Sequence, residues 1–270
     1  MKDLFNIKEN VIVITGGCGV LGKTISSYLA QQGAKVVILD RNEQTGSAFV
    51  DQIKADGGEA LFLLSDVMNK EVLEQNRTAI LEAYGKIDVL INAAGGNMPG
   101  ATIPPDKTIF DLQLDDFKQV VDLNLFGTVL PTTVFVKAMV ENGAGNIINF
   151  SSMSALRPLT RVAGYGAAKA AVSNYTKYMA AELALKFGEN FRVNALAPGF
   201  FITEQNRTLL TNEDGSYTAR GETILAHTPF QRFGEPDELL GSVHYLVSDA
   251  SKFVTGTLLV VDGGFDAFSI

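Results

Sequence analysis

The sequence predicts an α/β protein built on a doubly wound parallel sheet of about seven strands, with helices on both faces. Three observations carry that expectation. Short β-branched runs alternate with helical patterns, and the first run opens into a glycine-rich turn. Of the 270 residues, 46% are hydrophobic, enough for a sheet buried on both sides.

Val11–Ile14 is a β-branched run ending in Thr15, and Gly16-Gly-Cys-Gly-Val-Leu-Gly22 leads into a helix carrying Ile25, Leu29 and Ala30. Gly33 stops that helix, and Lys35–Leu39 is the second strand, closed by Asp40. Strand, glycine turn, helix, strand and acid within about 30 residues make a Rossmann-like dinucleotide-binding unit. Gly16, Gly19 and Gly22 let the backbone approach a pyrophosphate, and the helix start at Val20 and Leu21 offers it unpaired N–H groups. Asp40, 24 residues after Gly16, stands where a carboxylate binds the adenosine ribose and repels the extra phosphate of NADP. Arg41 beside it can greet that phosphate, so NAD is expected and NADP stays open.

The alternation continues with a helix over Glu43–Asp56, a strand over Ala60–Leu64, a helix over Met68–Tyr84 and a strand over Ile87–Ile91. Asn92-Ala93-Ala94-Gly95 ends that strand, and Gly96–Thr108 is a loop on the carboxyl edge, where such sheets bind ligands. A long helix runs from Leu114 to about Glu141 with Asn124 in its middle, where asparagine either bonds the backbone or kinks the helix. A strand over Asn146–Phe150 precedes the helix that ends near Phe187, and Phe191–Leu196 is a sixth strand ended by Pro198-Gly199. Residues 200–233 read as irregular or weakly helical, a substrate-side flap. A helix with Pro236 in its first turn and a last strand at Thr257–Val261 close the chain. Without repeats or linkers, residues 1–270 read as one domain.

Lys plus Arg number 22 against 30 Asp plus Glu, a net charge of −8. That balance argues against nucleic acid or an anionic membrane as partner, since both need a basic footprint. Cys18 is the lone cysteine, which excludes an internal disulfide and fits a reducing cytoplasm. The first ten residues carry acids and no apolar core, unlike a signal peptide. No uninterrupted apolar run approaches the ~18 residues that cross a bilayer. His227 and His244 lie far apart in no ligand spacing, so no metal site is expected.

The chemistry concentrates between Ser151 and Lys169. Lys169 follows Tyr165 by four residues, so on a helix the phenol and ammonium share a face one turn apart. A lysine cation beside a phenol favours phenolate, and the tyrosine pKa of about 10 is expected to fall toward neutrality. Such a tyrosine passes a proton to or from an alcohol oxygen. Ser152, thirteen residues earlier, ends its strand close enough to hold the same oxygen.

These residues together resemble the short-chain dehydrogenase/reductase family, classical branch, across essentially the whole chain. The signatures are the glycine turn, Asp66-Val67, Asn92-Ala-Ala-Gly95, Asn124, Ser152, Tyr165-x-x-x-Lys169, and Pro198-Gly199 with Thr203. The resemblance implies that Asn124, Ser152, Tyr165 and Lys169 are catalytic. It also implies that Asp66-Val67 touches the adenine, that Asn92 to Gly95 holds the cofactor side of the sheet, and that Thr203 meets the carboxamide. One departure stands out. Thr15-Gly-Gly-Cys-Gly-Val-Leu-Gly22 has the glycine spacing of the extended branch, whereas the Ser–Tyr spacing and the Asn-Ala-Ala-Gly run are those of the classical branch.

Three features are similar to the D-mannonate oxidoreductase (fructuronate reductase) group: the turn's phrasing, Asn92-Ala-Ala-Gly-Gly-Asn97 with its Pro/Thr loop, and the ending Gly263–Ile270. A sugar acid needs a carboxylate anchor. Arg157, Arg161 and Arg207 lie in segments that can line the cleft, with Asn97, Gln205 and Asn206 as hydroxyl partners. The resemblance implies NAD(P)-dependent interconversion of D-mannonate and D-fructuronate, with Asn124 holding a water between Lys169 and solvent, in a homotetramer. Open beside it stand a gluconate, ketodeoxygluconate or polyol dehydrogenase and a non-catalytic NAD-sensing protein.

Overall fold

The computed structural model of the chain describes residues 3–203 and 207–268. Among them, strands lie at Val11–Thr15 (β1), Lys35–Asp40 (β2), Glu59–Leu64 (β3), Val89–Asn92 (β4), Gly145–Phe150 (β5), Phe191–Pro198 (β6) and Leu258–Val261 (β7). They pair in parallel in the order β3-β2-β1-β4-β5-β6-β7. The order reverses between β1 and β4, which opens a crevice at the carboxyl ends of those two strands.

Strand residues alternate between two cores. Ile12 and Ile14 face one side with Ile25 and Leu29 of α1 (Val20–Gln31) and Val50 and Ile53 of α2 (Glu43–Ala55). Val11 and Val13 face the other with Leu73 and Ile80 of α3 (Lys70–Tyr84). Phe135, fully buried, joins that second core.

The expected long helix is three pieces: α4 (Leu114–Val121), a π-helical turn over Asp122–Phe126, and α5 (Gly127–Asn142). The side chain of Asn124 donates to the Val120 carbonyl at 2.8 Å, inside that π turn. Pro131, which lacks an N–H, follows within α5. A side chain bonding into the helix ladder and a π turn are both known causes of helix distortion, and π turns gather at functional sites. The run Leu114–Asn142 is long and apolar enough to cross a bilayer by length and composition, but 56% of its most apolar window is packed inside the fold. Scattered polar residues within the run hide it from a search for uninterrupted apolar stretches.

Helix α6 spans Ala163–Phe187. The segment after β6 is more ordered than its composition suggests. It holds α7 (Arg207–Leu210) and α8 (Ala219–Ala226), tied by an antiparallel bridge between Thr211 and Tyr217. Leu210, Ile224 and Phe233 form a small core of their own against Phe200 and Ile202. A last helix, α9 (Leu240–Val247), packs Val243 and Leu246 against the first core.

Candidate active site

A cleft of about 670 Å³ runs along the carboxyl edge of the sheet. Its floor begins at the glycine turn. Gly16 takes φ +66°, and a β-carbon there would lie 2.8 Å from the Ala94 α-carbon. At Gly22 a β-carbon would come within 2.3 Å of the Gly16 carbonyl oxygen, so strand, turn and helix touch backbone to backbone. The turn closes with Gly19 N–H donating to the Gly16 carbonyl, after which α1 starts at Val20. Gly16, Gly19, Val20, Leu21 and Gly22 all line the cleft. The displaced middle glycine is accommodated because Gly19 is the N-cap, in extended conformation, and leaves the start of α1 open to the cleft.

Asp40, at the end of β2, accepts hydrogen bonds from the N–H groups of Cys18 at 3.0 Å and Asn42 at 3.2 Å, and both Asp40 and Arg41 line the cleft. Burial, with the Asp40 charge close by, pushes the Cys18 thiol up to about 11. Val67 lines the cleft, as does Ser65, which the sequence reading passed over. Asp66 sits between them and accepts from its neighbour Met68 N–H at 2.9 Å. Thr15 receives the N–H groups of Ala93 and Ala94, each at 3.2 Å, which fixes the end of β4 beside the turn. Ala93, Ala94 and Gly95 line the cleft. Asn92 turns inward instead: it is 1% exposed and donates to Thr132 and Asn149 in a buried polar ladder. Strand alternation is the cause, because its neighbour's outward face is the inward face at Asn92.

The far end of the cleft gathers Asn124, Ser152, Tyr165 and Lys169, together with Pro198, Gly199 and Thr203 from the end of β6. Asn124 clamps the loop after β4: it donates to the Gly96 carbonyl at 2.7 Å and accepts from Gly96 N–H at 3.3 Å. A β-carbon on Gly95 would lie 2.6 Å from Asn124 Oδ1 and 3.4 Å from Lys169 Nζ, so only glycine lets this loop pass between the two side chains. Lys169 Nζ donates to the Phe150 carbonyl at 2.7 Å and stands 5.6 Å from the centre of the Tyr165 ring. The Ser152 hydroxyl accepts from Ser154 N–H at 3.2 Å and lines the cleft together with Tyr165.

The electrostatics differ from the simple lysine–tyrosine expectation. Burial holds the Tyr165 phenol above its ordinary value, and the Ser152 hydrogen bond only partly opposes it. Burial also pushes the Lys169 ammonium down to about 8. Burial is the leading cause of both shifts, because it penalises the phenolate and the ammonium alike.

The residues named for substrate scatter. Arg157 is taken by the C-terminal segment, donating from Nε to Asp266 at 2.9 Å and from its second nitrogen to the Asp266 carbonyl. Asn97 is exposed and donates to Thr102 at 3.1 Å. Arg207 opens α7 on the surface, and Gln205 and Asn206 lie outside the described residues.

Comparison with known proteins agrees with this geometry. A family model described as enoyl-(acyl carrier protein) reductase matches residues 19–266. The uncharacterised oxidoreductase UxuB of Bacillus subtilis is 42% identical, over 98% of this chain and 97% of that protein. The crystal structure of a candidate D-mannonate oxidoreductase from Haemophilus influenzae with bound NAD is 40% identical, with TM-score 0.91 over 98% of this chain and 97% of that one. A gluconate 5-dehydrogenase from Burkholderia cenocepacia in complex with NADP and tartrate is 32% identical, with TM-score 0.87 over 99% of each chain.

Proposed function

The chain belongs to the short-chain dehydrogenase/reductase family, and from that premise we propose that it interconverts a ketone and a secondary alcohol on a sugar acid, D-fructuronate and D-mannonate. The observation that carries the reading is the meeting of Ser152, Tyr165 and a buried Lys169, its Nζ 5.6 Å from the tyrosine ring centre, at the end of a cleft floored by the glycine turn.

The cleft fits a nicotinamide dinucleotide: a β-carbon at Gly16 or Gly22 would collide with backbone, so the close-packed turn and the open start of α1 suit a pyrophosphate. Asp40 would hold the adenosine ribose, which favours NAD over NADP, with Arg41 at its side. Val67, next to Asp66, would meet the adenine, Ala93 to Gly95 and Pro198-Gly199 would flank the nicotinamide half, and Thr203 would meet its carboxamide. When bound, the cofactor supplies or accepts the hydride.

In reduction, Tyr165 gives its hydroxyl proton to the carbonyl oxygen, and Ser152 donates a hydrogen bond to that same oxygen. Burial raises the phenol above its ordinary value and so favours the protonated form that a proton donor needs. Lys169 steadies the tyrosinate that remains, and Asn124 would hold a water that links Lys169 to solvent, from which the tyrosine regains its proton. In oxidation the same groups act in reverse.

The segment of about 200–233, of which 204–206 lie outside the described residues, would serve as a substrate-side flap. Exposed Leu114 and Phe126 on the π-interrupted run and Tyr178 and Leu185 on α6 support a homotetramer, and the single free thiol supports a cytoplasmic setting. A second reading, action on a gluconate-type acid, is favoured by the likeness to the Burkholderia gluconate 5-dehydrogenase. A non-catalytic NAD sensor has no need of Ser152, Tyr165 and Lys169 gathered in the cleft.

NADH consumption with D-fructuronate, beside 5-ketogluconate and 2-keto-3-deoxygluconate, separates these. Fastest turnover of D-fructuronate is expected. Activity on another keto acid alone would keep the family and discard the substrate, and silence on all three with intact NADH binding would favour the sensor.

A further inference from the structure

Helix α6 carries Tyr165, Lys169 and Ser173 at four-residue steps, so the three share one stripe of the helix. Consecutive residues at the end of β5 meet that stripe. Phe150, the last residue of the strand, takes the Lys169 ammonium on its carbonyl at 2.7 Å. Ser151, the next residue, reaches the other end of the same lysine. Its hydroxyl lies 3.2 Å from the Lys169 backbone carbonyl and 2.7 Å from the Ser173 hydroxyl. Ser173 in turn donates to that carbonyl at 3.0 Å. Further along the helix, Asn149 donates to Thr176 at 2.9 Å.

Proton counting closes this triangle. Each hydroxyl has one proton to give. Whichever serine donates to the other, the recipient's own proton is left for the Lys169 carbonyl, so either arrangement links the strand end to the helix. The two serines are not equivalent. Ser151 is 3% exposed, its N–H donates to the Leu196 carbonyl of β6 at 2.8 Å, and it lines the cleft beside Ser152. It is a fixed post of the sheet, whereas Ser173 is half-buried and moves with the helix. The proton transfer itself leaves Ser151 unused, since Ser152 serves the substrate oxygen and Phe150 serves the ammonium. A satisfied buried hydroxyl pair between a strand end and a helix, at the level of a charged side chain, sets how that helix sits on the sheet.

We propose that Ser151 is a positioning residue for Lys169: with Ser173 it registers α6 on the end of β5, so that the lysine's main chain and its ammonium are held by neighbouring residues. The ammonium then returns to the cleft at a set place, 5.6 Å from the centre of the Tyr165 ring. Without the Ser151 hydroxyl, Ser173 still donates to its own helix, but the tie to the sheet at this level passes to the bond between the ammonium and the Phe150 carbonyl. The charge must then anchor the helix as well as serve Tyr165, and each small shift of α6 displaces it. The inference rests on the part given to Lys169 in proton transfer and is independent of which ketone is reduced.

The test compares wild type with Ser151→Ala, Ser173→Ala, the double variant and Ser151→Thr, which keeps the hydroxyl. One readout is steady-state reduction of D-fructuronate, with kcat expressed per NADH-binding site so that loss of folded protein does not count. The other is hydrogen exchange of the free enzyme, read by mass spectrometry over residues 163–176, which needs no substrate. Ser151→Ala is expected to lower kcat about tenfold or more at unchanged KM, as a misplaced catalytic group does. The same variant should exchange about tenfold faster over those residues, in line with a lost tie between helix and sheet. Ser173→Ala stays near wild type in both, because Ser151 then donates to the Lys169 carbonyl directly, and the double variant is no worse than Ser151→Ala. Ser151→Thr recovers most of the rate. Should Ser151→Ala fail to fold, Ser151→Cys, a weaker donor of similar size, is expected to lose kcat several-fold. Wild-type kcat in Ser151→Ala, or a Ser151→Thr as slow as Ser151→Ala, would overturn the proposal and leave the sugar-acid reading standing. Wild type active on no keto acid would sink that reading instead, and unchanged exchange in Ser151→Ala would still overturn the tie.

Discussion

Lys169 donates its ammonium to the Phe150 carbonyl oxygen at 2.7 Å, across the gap between α6 and the end of β5. That bond keeps a charge inside the fold, 4% exposed, at a cost. Depression from 10.5 to about 8 amounts to roughly 3 kcal/mol against the charged form. Lys169→Met is therefore expected to abolish turnover while raising stability near neutral pH by about 1–2 kcal/mol, the remainder being offset by the orphaned Phe150 carbonyl. The sign has a pH signature. Below about 8 both folded and unfolded lysine are charged and the penalty is complete; between about 8 and 10.5 the unfolded chain binds the extra proton, so wild-type stability gains with pH. Denaturant midpoints of the two proteins should converge over that window. A constant gap would contradict the burial argument.

Gly22→Ala places a β-carbon 2.3 Å from the Gly16 carbonyl oxygen, with backbone on every side to resist it. The turn must open, and the expected result is a rise in the NADH Kd of about a hundredfold or more, near 2.7 kcal/mol. Fluorescence titration of NADH reads this directly, and a Kd within a factor of three of wild type would show that the turn does not carry the pyrophosphate.

Asp40→Ser removes the carboxylate that the Cys18 and Asn42 N–H groups hold at the end of β2. Preference for NADH over NADPH should fall by about tenfold or more, on the order of 1.4 kcal/mol. The ratio of kcat/KM values for the two cofactors is the measurement. An unchanged ratio would move the discrimination to Arg41 or elsewhere.

Asn124 makes three backbone bonds, to the Val120 and Gly96 carbonyls and from Gly96 N–H. Asn124→Ala leaves those buried groups without partners, and a loss of about 2–4 kcal/mol in urea unfolding is expected, with activity falling at least tenfold. Loss of activity with full stability would instead assign Asn124 a purely chemical part.

The sheet was legible because its signals are local: β-branched runs, the glycine stops at Gly33 and Gly85, and the acid closing β2 all act within a few residues. Tyr165 and Lys169 were legible for the same reason, being one helical turn apart. What escaped depends on distant groups. The sequence marks Asn124 as awkward in a helix, but its clamp on the Gly96 loop is a contact 28 residues away. Arg157 was named as a substrate ligand, yet its partner Asp266 lies 109 residues on. The tyrosine pKa was read from its neighbour's charge alone, and burial, a property of the whole fold, reversed the direction.

In the proposed mechanism Tyr165 delivers the proton to a ketone held by Ser152. Its most direct test is Tyr165→Phe, followed by NADH consumption with D-fructuronate and by NADH titration of the same preparation. Wild-type NADH affinity is expected, with turnover reduced by at least about a thousandfold because a proton donor and its hydrogen bond to the substrate oxygen are both removed. Turnover within tenfold of wild type would contradict it.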